Sequence, residues 1–316
     1  MNKRHVVIDA DSTIYANCYS QQSTDYCVAT YLPNPSRTKR FPSKTAFNDW
    51  LKENPKWNKD DFSTENVYNL QNTLNQSIGL ATAGVQSSIN KIIKETQATS
   101  YTVILEGEGN FRKHYPAKWV SYKGQRLERP MIFSQVVERV KEVYRKQGVL
   151  IEAVGIETDD LVCMEGWRAH HDPCGSELVI AYKDKDIPAN TVGTMYNYQS
   201  YSLHENTLEE QRKRFAIQLL IGDTADNIPN LKLTSDIREK YSIRKNITGV
   251  GASTAEKLLT DVETCNMLPH ILSIYQEVYG KEEGWERMNE TGFFLYLLNY
   301  PDDKWDLNLL IEKWKN

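Results

Sequence analysis

Acidic side chains recur in clusters, each just after a short apolar run. Asp9 and Asp11 follow His5-Val6-Val7-Ile8, and Glu106 and Glu108 follow Val103-Ile104-Leu105. Glu157, Asp159 and Asp160 come after Val149–Val154, Asp184 and Asp186 after Leu178–Ala181, and Asp223 and Asp226 after Ala216–Ile221. Carboxylates at the ends of buried strands or helices repel one another if the fold gathers them, and divalent metal relieves that repulsion. The pattern predicts a metal-dependent enzyme acting on phosphates. With no clustered Cys or His, the donors are oxygens, which favours Mg²⁺ or Mn²⁺ over zinc. Two such ions about 4 Å apart could clamp the attacking and leaving oxygens of a phosphodiester.

Each cluster also has a plain structural explanation. Asp9 could cap a helix, and acids at Glu157–Asp160 suit the first turn of one. Lys183-Asp184-Lys185-Asp186 could be a charged loop, although acids at i and i+2 in extended backbone share a face. Gly222 and Asn227-Ile228-Pro229 make a turn, which does not require both Asp223 and Asp226. It is their joint placement at element ends that points to a metal centre.

Two further stretches bear on phosphate. Phe111 to Leu127 has no acidic residue and is dense in cations and aromatics. That composition suits a phosphate-binding surface with stacking faces for unpaired bases. Thr248-Gly249-Val250-Gly251-Ala252-Ser253-Thr254 is a Gly-x-Gly turn running into a helix, which lets backbone N–H groups approach a phosphate.

The elements that must position these groups alternate. Val6–Ile8, Val103–Leu105, Val149–Val154 and Leu178–Ala181 read as strands buried on both faces, with amphipathic helices between them over Asn66–Thr96 and Phe133–Tyr144. Such alternation implies a parallel, doubly wound sheet whose site lies beyond the carboxyl ends of the strands. Residues 21–61 lack a period and read as a surface insertion with short helices near Ala46–Lys52, and 230–246 as a second insertion. From Thr248 onward the reading is helical. The chain has 316 residues and a formal charge of −4, so a basic groove must be sought locally. Its five cysteines lack metal spacing and read as reduced thiols. With a strand starting almost at residue 1 and no membrane-length apolar run, the expectation is a soluble cytoplasmic protein.

Taken in order, Val-Ile-Asp9-Ala-Asp, Phe111-Arg112 with Tyr122-Lys-Gly-Gln-Arg126, Glu157-Thr-Asp159-Asp160, Lys183-Asp184-Lys-Asp186, Gly222-Asp223-Thr-Ala-Asp226-Asn-Ile-Pro and Gly249-Val-Gly251-Ala-Ser-Thr-Ala resemble the flap endonuclease superfamily. The resemblance is closest to bacteriophage 5′→3′ exonucleases and extends to the 5′-nuclease domain of DNA polymerase I. It implies a PIN-like α/β nuclease core over 1–211, with a helical arch at about 117–148. A helical region over 212–316 would carry a helix–hairpin–helix at about 212–260. It implies a first metal at Asp9, Glu157, Asp159 and Asp160 and a second at Asp184, Asp186, Asp223 and Asp226. Lys123, Arg112 and Arg126 would offset transition-state charge. Tyr15 would stack on the terminal base, Tyr122 would contact DNA, and Gly249, Val250, Gly251, Ser253 and Thr254 would grip duplex phosphates with K⁺. Where the family usually has Asp before Phe-Arg, this chain offers Glu106 or Glu108, and Glu106 is preferred because it ends the apolar run. The implied activity is Mg²⁺-dependent cleavage near DNA 5′ ends by a monomer. Its substrates would include duplex, flap and RNA-primed ends during phage replication, in host cytoplasm if phage-encoded. A catalytically degenerate DNA-structure binding protein and a PIN-like RNase are the alternatives.

Overall fold

Runs of Val, Ile and Leu too short for helices and buried on both faces set the central sheet. The computed structural model describes residues 3–124, 129–172 and 177–315. In chain order the elements begin with β1 (Arg4–Asp9), α1 (Asp11–Tyr19), β2 (Gln22–Tyr31), β3 (Thr38–Phe41), α2 (Lys44–Glu53), β4 (Phe62–Leu70), α3 (Leu74–Glu95) and β5 (Ser100–Glu106). Next come α4 (Phe133–Lys146), β6 (Leu150–Ala153), α5 (Thr158–His171), β7 (Glu177–Tyr182), α6 (Asp186–Asn190), β8 (Gly193–Asn197), β9 (Ser202–Asn206) and α7 (Leu208–Ile221). The helices α8 (Ser235–Lys240), α9 (Ala252–Leu258), α10 (Met267–Tyr279), α11 (Lys281–Leu295) and α12 (Leu307–Lys315) follow. The chain divides into two compact units, the first Met1–Asp11, Ile89–Leu127 and Gln147–Asn316, the second Ser12–Ser88 and Glu128–Lys146.

The first unit is built on a sheet of order β6-β5-β1-β7-β8-β9, parallel except for the β8–β9 pair. β1 lies in its middle, with Ile8 opposite both Val103 of β5 and Ala181 of β7. Val6, Ile8, Val103, Ile104, Leu105, Val179 and Ala181 are inaccessible to solvent, each side chain contributing about 1.5–3 kcal/mol of burial for the larger ones. The chain leaves β1 toward β5 and β6 on one side and resumes at β7 on the other. That reversal opens a crevice beyond the carboxyl ends of β1, β5 and β7. Around α7, a second core gathers Phe215, Leu219, Ile271, Met288 and Phe294. Gly284 of α11 is obligatory there, since a Cβ would meet the Gln276 backbone of α10 at 2.6 Å.

In the second unit the sheet order is β3-β2-β4, antiparallel. Helix α2 covers one face, where Cys27, Ala29, Phe41 and Phe47 form a core joined by Trp50 and Phe62. Residues 21–61 thus hold the short helix expected near Ala46–Lys52, as α2, together with the strands β2 and β3, which the sequence did not signal. Half-exposed antiparallel strands interleave polar with apolar residues, so β2 offers no continuous run. The helix expected from Asn66 starts only at Leu74, because Asn66–Leu70 finishes β4 and pairs with Gln22–Cys27. Thr73 and Gln76 cap the helix reciprocally, Gln76 N–H donating to Thr73 Oγ1 at 3.4 Å and Thr73 N–H to Gln76 Oε1 at 3.3 Å.

Among the described residues Cys18, Cys27, Cys163 and Cys265 are free thiols, and Cys174 lies outside those residues. No described helix is long and apolar enough to cross a membrane.

Candidate metal and phosphate site at the carboxyl edge of the sheet

β1 ends on Asp9, which is 2 % exposed. Its Oδ1 accepts the Asp11 N–H at 3.3 Å. Asp11 then ties two neighbours together: Oδ1 accepts the Glu106 N–H at 3.2 Å and Oδ2 accepts the Thr158 hydroxyl at 2.5 Å. The end of β5 and the start of α5 are thereby fixed to β1. Helix α5 begins with Glu157 as its cap and Asp159 and Asp160 in its first turn, where the dipole favours acids. Beyond β7, Asp184 Oδ1 accepts the Asp186 N–H at 3.0 Å, and Gln218 donates to Asp186. Asp223 closes a turn after α7 by accepting the Ala225 N–H at 2.7 Å.

That turn depends on Gly222. Its φ of +63° and ψ of −160° are open essentially to glycine alone, and a Cβ would meet the Ile228 and Pro229 carbonyl oxygens at 2.4 and 2.5 Å. Gly222→Ala is expected to cost more than about 2 kcal/mol and to displace Asp223. Urea denaturation of the variant checks this, and an unchanged midpoint would contradict it.

Electrostatics connects the two acidic groups. Desolvation pushes the Asp9 carboxyl well above the usual carboxylate range, and Asp11 and Asp184 push it further. Asp159 is raised likewise by desolvation, then by Asp9, Asp184, Glu157 and Asp186. For Asp186 the causes are desolvation, Asp184 and Asp223. Asp184 is also raised by desolvation, with Asp223 and Asp226 adding to it while the Asp186 N–H opposes. Glu157 goes the other way: desolvation opposes its ionisation, but Lys123 and Arg112 hold it below its ordinary value. Its Oε1 accepts from Lys123 and from Asn110 Nδ2 (2.7 Å), and its Oε2 from the Tyr122 hydroxyl (2.8 Å). Lys123 also lies 3.9 Å from Asp226, and Lys185 lies 3.2 Å from Asp223.

Among the described residues, no three His, Cys, Asp or Glu side chains converge as a ready-made metal cage. What the edge provides is a crowd of desolvated oxygen donors that repel one another across both groups. That donor set suits hard divalent cations, which hold part of their coordination through water.

Several expected residues take other parts. Asp160 is fully buried and its carboxylate is saturated by Arg112 Nη1 (2.6 Å), Arg112 Nη2 (2.7 Å), Leu298 N–H (2.9 Å) and Glu157 N–H (3.0 Å). It has no lone pair left for a metal. Arg112, with no exposed side chain, also donates to the Tyr296 carbonyl, so it braces α5 from below and cannot reach a phosphate. Tyr122 stacks on Phe294 at 4.7 Å and donates its hydroxyl to Glu157, so one ring face and its polar end are engaged within the protein. Val250 and Thr254 are buried, while Gly251 and Ser253 are exposed ahead of and within α9. A pairing of Lys232 with Gly249, with Val250 N–H donating to Leu231 O at 3.1 Å, holds that turn. Glu106 is half-buried and bound through its N–H, whereas Glu108 is exposed. In the second unit Tyr15 lies 4.3 Å from Phe133. Arg126 lies outside the described residues.

Asn110 and Asp11 are contributors that sequence reasoning did not assign. Asp11 stood in plain view beside Asp9, whereas Asn110, which also caps the Phe111–His114 turn by accepting the Arg112 N–H at 2.9 Å, carried no signal.

Comparison with protein families matches residues 62–213 to the 5′-3′ exonuclease, N-terminal resolvase-like domain. The matched segment contains Glu106, Lys123, Glu157, Asp159, Asp184 and Asp186, while Asp9, Asp223 and Asp226 lie outside it. The chain is similar to three solved structures from bacteriophage T5. One is a single-residue mutant of T5 5′-exonuclease, at 12% identity over 99% of this chain and 96% of that one, TM-score 0.48. A second is T5 D15 protein co-crystallised with metal ions, at 11% identity over 92% and 100%, TM-score 0.44. The third is D15 flap endonuclease in a pseudo-enzyme-product complex with DNA and metal ions, at 12% identity over 92% and 99%, TM-score 0.41. No curated protein matches the chain by sequence.

Proposed function

We propose that this protein is a divalent-metal-dependent 5′ nuclease that hydrolyses phosphodiesters near DNA 5′ ends. The observation that carries the reading is the set of acids Asp9, Asp159, Asp184 and Asp186 at the ends of β1, α5 and β7, which desolvation and mutual repulsion raise above the ordinary carboxylate range, with Asp223 and Asp226 of the turn after α7 adding to the repulsion on Asp184. It lies in and around an exonuclease-type domain. Asp9 and Asp159, with Glu106 through water and Glu157 once Lys123 has left its Oε1, would hold one Mg²⁺ or Mn²⁺. Asp184, Asp186, Asp223 and Asp226 would hold a second. Bound there, the two ions would supply Lewis acidity at the scissile phosphate and lower the pKa of an attacking water.

The chain's own residues do the rest. Lys123 Nζ, held between Glu157 and Asp226, would transfer to a phosphate oxygen as substrate enters and stabilise charge in the transition state. Arg126 would add to it, and residues 117–148 would admit a 5′ single strand. Tyr15 would stack on the terminal base. The exposed Gly251 and Ser253 would contact duplex phosphates through backbone N–H groups, with K⁺ as a further ion. The substrates of this reading are duplex, flap and RNA-primed ends, and its setting is phage DNA replication by a monomeric, cytoplasmic enzyme with a 1–211 nuclease core and a 212–316 helical region.

A 5′-labelled flap incubated with Mg²⁺ tests the proposal. Cleavage is expected, abolished by EDTA and reduced about 10³-fold or more in Asp184→Asn/Asp186→Asn. Tight flap binding without any turnover would instead favour a degenerate DNA-structure binding protein. Activity undiminished in the double variant would sink the nuclease assignment of these acids.

A further inference from the structure

The segment that brings Lys123 to Glu157 has little regular structure after the short turn at Phe111–His114. Three of its successive amides are satisfied by a residue some 170 positions away. Glu290, on α11 and 4 % exposed, accepts the Lys118 N–H at Oε2 (2.8 Å). Its Oε1 accepts the Trp119 N–H (2.7 Å) and the Val120 N–H (2.8 Å). Successive N–H groups turned onto one carboxylate make an anion nest, with the anion here supplied from within the chain.

The same helix supports the segment at several more points. Tyr115 stacks on Phe293 at 3.9 Å and Tyr122 on Phe294 at 4.7 Å. Arg287 lies over Trp119 at 4.7 Å. The Lys118–Glu286 pair is exposed and adds little. From the other side, Asn227 Nδ2 donates to Ser121 O at 3.0 Å and Lys123 N–H to Asp226 O at 2.9 Å. Lys123 itself has φ +56°, a left-handed conformation costly for a lysine. Such a backbone persists only when its surroundings dictate it.

We infer that Glu290 is a positioning residue: through the amides of residues 118–120 it sets the loop so that Lys123 stands against Glu157 and Asp226 before substrate arrives. Losing the carboxylate leaves three amides without their acceptor, that of Val120 buried and those of Lys118 and Trp119 partly so, a strong incentive for the loop to rearrange. The catalytic part of this inference rests on the nuclease reading, but the anchoring part does not.

The test uses full-length Glu290→Ala and Glu290→Gln. Hydrogen exchange should show the amides of Lys118, Trp119 and Val120 protected in the unsubstituted protein and at least about tenfold faster in Glu290→Ala, with α7 and α10 unaffected. On the flap substrate, kcat should fall roughly 10- to 100-fold in Glu290→Ala while KM moves less than about threefold, as expected for a misplaced catalytic group. Glu290→Gln should be intermediate, because its carbonyl can still accept from Trp119 and Val120. Free exchange of these amides in the unsubstituted protein overturns the inference, as does full kcat in folded Glu290→Ala. If that variant does not fold, Glu290→Gln decides by the same readouts. If the unsubstituted protein does not cleave, the nuclease reading fails and the exchange result still decides the anchoring.

Discussion

Arg112→Ala is expected to destabilise the protein by about 3–5 kcal/mol, the range for breaking a buried ion pair from one side. For a protein of this size that lowers Tm by roughly 10 °C. Arg112 and Asp160 expose no side-chain surface and meet through two parallel hydrogen bonds. Removing the guanidinium strands the Asp160 carboxylate in a buried site and leaves the Tyr296 carbonyl without its donor. It also removes one of the two cations that keep Glu157 ionised. Lysine should not rescue, since a single ammonium cannot reproduce the fork that spans both carboxylate oxygens and a carbonyl. Calorimetry on Arg112→Ala, Arg112→Lys and the double variant with Asp160→Asn checks the account, and the double variant should lose less than the sum of the single changes. An unchanged Tm together with lost cleavage would return Arg112 to a direct catalytic part.

Asp159→Asn should move stability and activity in opposite directions. The Asp159 carboxyl is desolvated and faces Asp9, Asp184, Glu157 and Asp186. Neutralising it relieves repulsion that the metal-free fold otherwise carries, so Tm in EDTA should rise by roughly 3–6 °C, about 1–2 kcal/mol. On the nuclease reading, cleavage with Mg²⁺ should fall about 10³-fold, because a proposed metal ligand is removed. The pH profile fixes the sign independently. Asp9, Asp159 and Asp186 are raised in the folded state, so the fold binds more protons than the unfolded chain. Their contribution is full below the ordinary carboxylate range and disappears as pH rises through the raised values. In EDTA the unsubstituted protein should therefore lose stability on going from mildly acidic to alkaline pH, and Asp159→Asn should flatten that decline. A variant less stable than its parent in EDTA would contradict the proposed crowding.

The parallel sheet was legible because strands buried on both faces show as unbroken runs such as Val6–Ile8 and Val103–Leu105. The acids were legible because they follow those runs directly. What stayed hidden has two physical sources. Half-exposed antiparallel strands dilute their own signal, so β2 and β4 passed as loop and helix. Spacing also cannot tell a carboxylate that faces solvent or metal from one facing inward. Asp160 sits one position from Asp159 and three from Glu157 on the same helical turn, yet it faces Arg112 and Tyr296 in the interior. Glu290 was invisible for a related reason: a lone acid in Met288-Asn289-Glu290-Thr291 has no local pattern, and its role exists only through amides far away in the chain.

The placement of β1 at the middle of the sheet bears on biosynthesis. Asp9 leaves the ribosome first, but its neighbours on either side arrive with β5 and β7, the acids of the turn after α7 follow, and the brace for Lys123 arrives with α11. Contacts so distant in sequence close late and slowly. A nascent chain would hold every early carboxylate yet lack the braced Lys123 until α11 docks. On the nuclease reading, full hydrolytic capacity would follow that late docking.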